Sequence, residues 1–144
     1  MQLAIIHMNR KLNILLIEDD AIEVMKLKRT MNTLQVPHVL TEINNGDEAI
    51  NFLMKKEELP DIILLDLNMP RMNGKEFLKV IKDDGTLRYI PVVILTTSVN
   101  NKDILDCFNL GIAGYIIKPL KYDDYVQKLK IVLDYWSINE LLQV

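Results

Sequence analysis

The sequence predicts an α/β fold in which five parallel strands alternate with five helices. Three observations predict it: short runs of Ile, Val and Leu without polar alternation, stretches between them whose apolar residues recur at helical spacing, and turn-forming residues at the junctions. Runs of the first kind suit strands covered on both faces, because neither side of such a strand then needs to meet water.

The elements follow in order. Residues 12–17 (LNILLI) read as strand β1, and Val24, Leu27, Met31 and Leu34 as the inner stripe of the helix after it. Pro37 precedes β2 at 38–43 (HVLTEI), which alternates more than the others and reads as a strand nearer an edge. Asn45-Gly46 then opens a helix with Ala49, Ile50 and Leu53 inward. Pro60 introduces β3 at 61–66 (DIILLD), followed by a helix marked by Phe77, Leu78 and Ile81. Asp84-Gly85 and Pro91 punctuate the approach to β4 at 91–96 (PVVILT), and Ile104, Leu105 and Phe108 mark the fourth helix. β5 falls at 114–118 (GYIIK), and Val126, Leu129, Leu133 and Trp136 set the last helix.

Strand-helix alternation of this length implies right-handed crossovers and a sheet covered on both faces. For (βα)5 the expectation is a flavodoxin-like doubly wound parallel sheet of strand order 2-1-3-4-5. In such sheets ligands bind beyond the carboxyl ends of the strands, at the switch point between β1 and β3. Function is therefore sought there.

Composition narrows the field. The chain has 144 residues, enough for one core and too few for two ordinary domains. It divides into an N-terminal extension (1–9), one domain (10–137) and a C-terminal tail (138–144). Net charge is -3 with Lys and Arg scattered, which speaks against nucleic acid as a partner. Cys107 is the only cysteine, so neither an intramolecular disulfide nor structural zinc is expected, and a reducing, cytoplasmic setting suits the chain. The apolar run within residues 1–7 is too short for a signal peptide, and no stretch is long enough to span a membrane.

The ends of four strands carry polar groups where the fold puts its site: Glu18, Asp19 and Asp20 after β1, Asp66 closing β3, Thr96, Thr97 and Ser98 at β4, and Lys118 with Pro119 at β5. Each has an ordinary structural reading, as a helix cap or a turn former. Together they point elsewhere. Carboxylates converging beside Asp66 repel one another unless a cation or a lysine neutralises them, and magnesium suits an oxygen site with few protein ligands and a phosphate oxygen. A carboxylate can then act as nucleophile in phosphoryl transfer, with Lys118 and Thr96 placed to take phosphoryl oxygens.

The strings LLIEDD, LLDLNMPRMNG, PVVILTTS and GYIIKPL, in that order, resemble the receiver domains of two-component response regulators. The resemblance runs from Leu12 to Trp136. It implies that Asp66 is the phosphoacceptor, that Glu18 and Asp19 are the acidic pair with Asp19 a direct Mg2+ ligand, and that Asn68 offers its main-chain carbonyl to the metal. Asp20 becomes a neighbouring helix cap. Thr96 is the switch hydroxyl, Tyr115 the switch aromatic and Lys118 the phosphate partner, with a cis Lys118-Pro119 peptide. Glu18 stands where Asp is commoner, and Thr97 where a smaller residue is frequent.

The implied partner is a sensor histidine kinase or a histidine phosphotransfer protein. The implied activity is self-promoted phosphorylation and hydrolysis in a phosphorelay, not metabolic catalysis. With no room for an output domain, signalling is expected to pass through the domain's own surface. A less specific likeness, including the Trp-containing tail, is to stand-alone regulators paired with bacterial phytochromes and hybrid sensor kinases; these commonly dimerise through the face of the fourth helix, β5 and the fifth helix, here Lys102 to Leu110, Tyr115 to Ile117 and Tyr122 to Trp136. The apolar tail around Trp136, Ile138 and Leu141 is open to two readings, a turn folded onto the core or an interface. Three alternatives fit less well: a haloacid-dehalogenase-type phosphatase expects Asp where Asn68 stands, an FMN carrier needs a phosphate loop where this chain places acids, and a receiver-like scaffold that binds partners without phosphorylation is expected to lack one of Asp19, Asp66, Thr96 and Lys118, all of which are present.

Overall fold

The computed structural model describes residues 10–142. Five strands, β1 (Asn13–Ile17), β2 (Val39–Ile43), β3 (Ile62–Leu65), β4 (Val92–Thr96) and β5 (Gly114–Ile117), form one parallel sheet in the order β2-β1-β3-β4-β5. Five helices connect and follow them: α1 (Ala21–Leu34), α2 (Gly46–Met54), α3 (Gly74–Asp83), α4 (Asn101–Asn109) and α5 (Tyr122–Ser137). The expected fold class and strand order are those found. A single 3-10 turn, Leu87–Tyr89, precedes β4. The proposed extension, residues 1–9, and the last two residues of the tail lie outside the described residues.

The two-residue period of a strand divides the core into two layers. Leu15 and Ile17, Ile63 and Leu65, and Val92 and Ile94 face one side, where Ala49, Leu53, Phe77, Leu78, Ile81 and Cys107 from α2, α3 and α4 cover them. Ile14 and Leu16, Ile62 and Leu64, and Val93 and Leu95 face the other, under Leu27, Met31, Tyr125, Leu129 and Leu133 from α1 and α5. Truncating any of the Leu, Ile or Met residues among these to Ala is expected to cost about 2–5 kcal/mol, read from urea unfolding.

Two expectations about burial need correction. The run at β5 is not buried on both faces: all four of its residues are only half-buried, because the strand lies at the sheet edge and lacks a neighbour on one side. In α4 the inward stripe is not Ile104, Leu105 and Phe108. Cys107 is the fully buried residue, while Leu105 and Phe108 are 60% and 53% exposed. The helix's rotation is held by Lys75 of α3, whose ammonium lies 2.6 Å from Asp103 and 2.9 Å from Asp106 on the α4 side next to Cys107.

The tail divides between its two readings. Trp136 and Leu141 pack against the α1/α5 layer, whereas Ile138 and Leu142 stay exposed. Arg10 N–H donates to the Ser137 carbonyl at 2.7 Å, tying the start of the described chain to the end of α5. Among the described residues no helix is long and apolar enough to cross a membrane.

At the opening of the β1–β2 pairing, Leu12 N–H donates to Nδ1 of His38 at 3.0 Å, so the imidazole must accept, and therefore be unprotonated there. Burial pushes the His38 pKa below its ordinary 6.5, against a smaller opposing pull from Asp134. The folded state thus binds fewer protons than the unfolded one near this pH. The His38 contribution to stability is complete above pH 6.5 and is lost as pH falls below that value toward the folded pKa. In urea titrations on either side of pH 6.5, His38→Asn, which keeps an acceptor that does not titrate, is expected to lose less stability on acidification than the parent. Equal pH dependence in the two proteins refutes the assignment.

Candidate functional site

Parallel pairing in register brings the carboxyl ends of the strands level. Ile17 pairs with Leu65 and with Ile43, Leu65 with Ile94, and Thr96 with Ile117. The ladder extends one residue beyond the regular strands: Asp66 N–H donates to the Ile17 carbonyl at 3.1 Å, Lys118 N–H to Thr96 at 2.8 Å, and Glu18 N–H to Ile43 at 3.1 Å. The first polar residue of each end is therefore fixed by the sheet itself. Glu18, Asp66, Thr96 and Lys118 are all buried, and Asp19 is exposed at the rim.

Carboxylate oxygens of Glu18, Asp19 and Asp66 lie within 4.8 Å of one another. Burial pushes the Glu18 pKa up, to about 7, and the Asp66 charge adds to the rise, although the Lys118 hydrogen bond and charge oppose it. Lys118 Nζ sits 2.7 Å from Glu18 Oε1. Burial acts against the lysine's charge as well, but Glu18, Asp66 and Glu23 outweigh it and raise its pKa above the ordinary 10.5. Three hard oxygen donors crowded at one mouth, one already resisting ionisation, form a donor set that fits a small divalent cation.

Thr96 is fully buried, and its Oγ1 accepts from Ser98 N–H at 3.3 Å. Tyr115, half-buried on β5, donates its hydroxyl to the Ser98 carbonyl at 2.9 Å instead of to water. Ser98 Oγ in turn donates to Asp103 at 2.7 Å, and Asp103 is ion-paired with Lys75. These contacts join the β4–α4 loop to β5 on one side and to α3 on the other. Hydrogen bonds to Asp103, then Asp106, raise the Lys75 pKa, and Lys75 above all holds Asp103 below the usual carboxylate range.

Caps and tight contacts set the loops. Asp20 caps α1 by accepting from Ile22 N–H at 2.9 Å, and Asn73 and Glu76 form a reciprocal capping box on α3. Asn100, not the Thr-Thr-Ser run, caps α4. Asn68 is exposed on the β3–α3 loop beside Met69, Asn73, Lys75 and Asp103. No cis peptide occurs among the described residues, so Lys118-Pro119 is trans, contrary to expectation. A trans bond is the intrinsic preference before proline, and the turn into α5 is built with it.

The site residues read from sequence thus meet at one edge: Glu18, Asp19, Asp66, Thr96 and Lys118 surround the mouth, Tyr115 reaches it through Ser98, and Asn68 flanks it. Two contributors escaped the sequence reading. Glu23, in the first turn of α1, places Oε2 3.5 Å from Lys118 Nζ, yet in sequence it is one more acid at a helix start. Lys75 looks like a solvated helix lysine until α4 is set beside it.

A doubly wound sheet whose strand ends gather an acidic mouth, a buried lysine and a buried threonine has the architecture of a receiver-type signalling domain. The chain belongs to the response regulator receiver domain family, whose model matches residues 14–130. It is 34% identical over 127 residues to the probable methanogenesis regulatory protein FilR2 of Methanothrix harundinacea, covering 85% of this chain and 82% of that protein. It is 33% identical over 128 residues to response regulator Rcp1 of Synechocystis, covering 85% and 87%. The Mn2+-bound structure of Rcp1 superposes with a TM-score of 0.83 over 92% of this chain and 99% of that one, at 30% identity. The phosphorylated cyanobacterial phytochrome response regulator RcpA superposes with a TM-score of 0.86 over the same shares, at 34% identity.

One glycine is a condition of this geometry. A Cβ on Gly74 would lie 2.8 Å from both the Asp66 carbonyl oxygen and Leu67 Cα, backbone atoms that cannot yield without moving the end of β3. Gly74→Ala is expected to lower stability by roughly 1–3 kcal/mol, the usual range for overpacking. Gly85→Ala, where an added Cβ meets nothing within 4 Å, is expected to be neutral or slightly stabilising. Urea unfolding of both variants checks the contrast, which fails if the two behave alike.

Proposed function

We propose that Asp66 accepts a phosphoryl group from a phosphohistidine on a sensor histidine kinase or histidine phosphotransfer protein, and that the phosphorylated domain signals by changing which protein it binds. The observation that carries the reading is the convergence of Glu18, Asp19 and Asp66 within 4.8 Å beside the buried Lys118 and Thr96. RcpA in its phosphorylated form and Rcp1 with Mn2+ lend support, as proteins of the same fold.

In this reading an Asp66 carboxylate oxygen attacks phosphorus, and the new P–O bond forms as the P–N bond to the departing imidazole breaks. Asp19, Asp66 and the Asn68 main-chain carbonyl would hold Mg2+, with Glu18 completing the acidic pair, and the ion when bound would supply positive charge against the phosphoryl oxygens. Lys118 takes one phosphoryl oxygen. The Thr96 hydroxyl donates to another, a contact that draws on the same oxygen now bonded by Ser98 N–H. Because Tyr115 is tied to the Ser98 carbonyl, displacement of that loop changes the β5 surface as well.

That surface is our proposed outlet. The half-buried β5, exposed Leu105 and Phe108 on α4, and fully exposed Leu120 before α5 leave apolar area on the α4-β5-α5 side, where a homodimer would form. A cytoplasmic setting agrees with the buried free thiol of Cys107. In domain terms, residues 10–137 constitute the receiver and 138–144 a tail.

Incubation with magnesium and acetyl phosphate is expected to add one phosphoryl mass to the parent protein and none to Asp66→Asn. A parent protein that gains neither mass nor a spectroscopic response to beryllofluoride defeats the assignment. Light scattering is expected to find a dimer once beryllofluoride and magnesium are present; a monomer both with and without them removes the homodimer.

A further inference from the structure

Glu23 stands in the first turn of α1, five positions after Glu18, and its carboxylate turns toward the same lysine. Lys118 Nζ lies 2.7 Å from Glu18 Oε1 and 3.5 Å from Glu23 Oε2. The longer contact is an ion pair without a hydrogen bond. Glu23 Oε2 is sealed from solvent and has no hydrogen-bond partner. The same oxygen lies 4.0 Å from Lys26 Nζ, and Lys26 is itself held 4.3 Å above the centroid of the Tyr125 ring. A buried carboxylate oxygen thus stands between two ammonium groups and is bonded to neither.

Buried polar atoms are rarely left in this condition, because the desolvation they suffer is not offset. The arrangement makes sense if its partner arrives in another state of the site. Lys118 is the candidate, since it is bonded to a carboxylate that the cation also needs. Glu18 cannot turn fully to a divalent cation while Oε1 is engaged by a buried lysine, and a lysine left unpaired there would oppose the exchange. A charge-assisted N–H···O bond spans about 2.7–2.9 Å, so a shift of less than about 1 Å would carry Nζ onto Glu23 Oε2.

We propose that Glu23 is a positioning residue of the phosphorylation site: it receives the Lys118 ammonium when the divalent cation claims Glu18. The inference rests on the metal site described above. Glu23 then keeps Lys118 paired and beside Asp66 throughout metal uptake, and divides two duties that Glu18 alone would have to share.

A double-variant cycle tests this through metal binding, without phosphorylation. Mg2+ is titrated calorimetrically into the parent, Glu23→Gln, Lys118→Met and the combined variant. Glu23→Gln is expected to weaken Mg2+ binding on the order of ten-fold, the size of coupling that contacting charged groups show. In the Lys118→Met background the same substitution is expected to change affinity by less than about two-fold, because no lysine remains to be rehoused. Glu23→Asp, which restores the carboxylate, should recover part of the loss. An equal loss in both backgrounds would mean that Glu23 acts on the cation by charge alone, and overturns the proposal. So does a Glu23→Gln protein that loses thermal stability while keeping the parent's affinity. A parent that takes up no Mg2+ overturns the metal site itself, whereas normal uptake by Glu23→Gln overturns only the role given to Glu23.

Discussion

The buried pair between Lys118 and Glu18 closes the functional edge of the molecule. It joins residues 100 positions apart, from the end of β5 over β4 and β3 to the end of β1, at 2.7 Å. Such a pair is poor economy for stability alone, since apolar residues of similar volume often serve a core as well or better, while removal of one partner costs about 3–5 kcal/mol. Its presence is explained by what it holds ready. The lysine is kept charged and beside Asp66, and the glutamate is kept in a site whose burial has already pushed its pKa to about 7. An acidic mouth under that strain is disposed to take up positive charge.

The sheet behind this edge is rigid where the chemistry needs it and open where signalling needs it. β1, β3 and β4 are covered on both faces, so Asp66 and Thr96 emerge from the most tightly packed part of the fold. β5 is only half-covered, and its Tyr115 is bonded to the β4–α4 loop. In the proposed function, a change at Thr96 would reach the surface through Ser98 and Tyr115, which hydrogen bonds join to it. On the opposite side the loop is restrained by Asp103 and Lys75, which also set the rotation of α4 and turn Leu105 and Phe108 outward. The same ion pairs that steady the loop decide which apolar side chains the domain presents.

Much of this was written in local patterns. Apolar runs with a two-residue period must place alternate side chains on opposite faces, so β1, β3 and β4 and their partner helices were determined by the sequence itself, as were the polar residues that follow each strand. Because a parallel sheet in register aligns strand ends, the same patterns also specified which side chains would share the mouth: Glu18, Asp19, Asp66, Thr96 and Lys118. Tertiary structure decided what has no local signature. The half-burial of β5 follows from its place at the sheet edge, and the inward turn of Cys107 from ion pairs with another helix. Glu23 belongs to this second group: an acid in a helix's first turn acquires its place in the site only when folding brings Lys118 to it from the far end of the sheet.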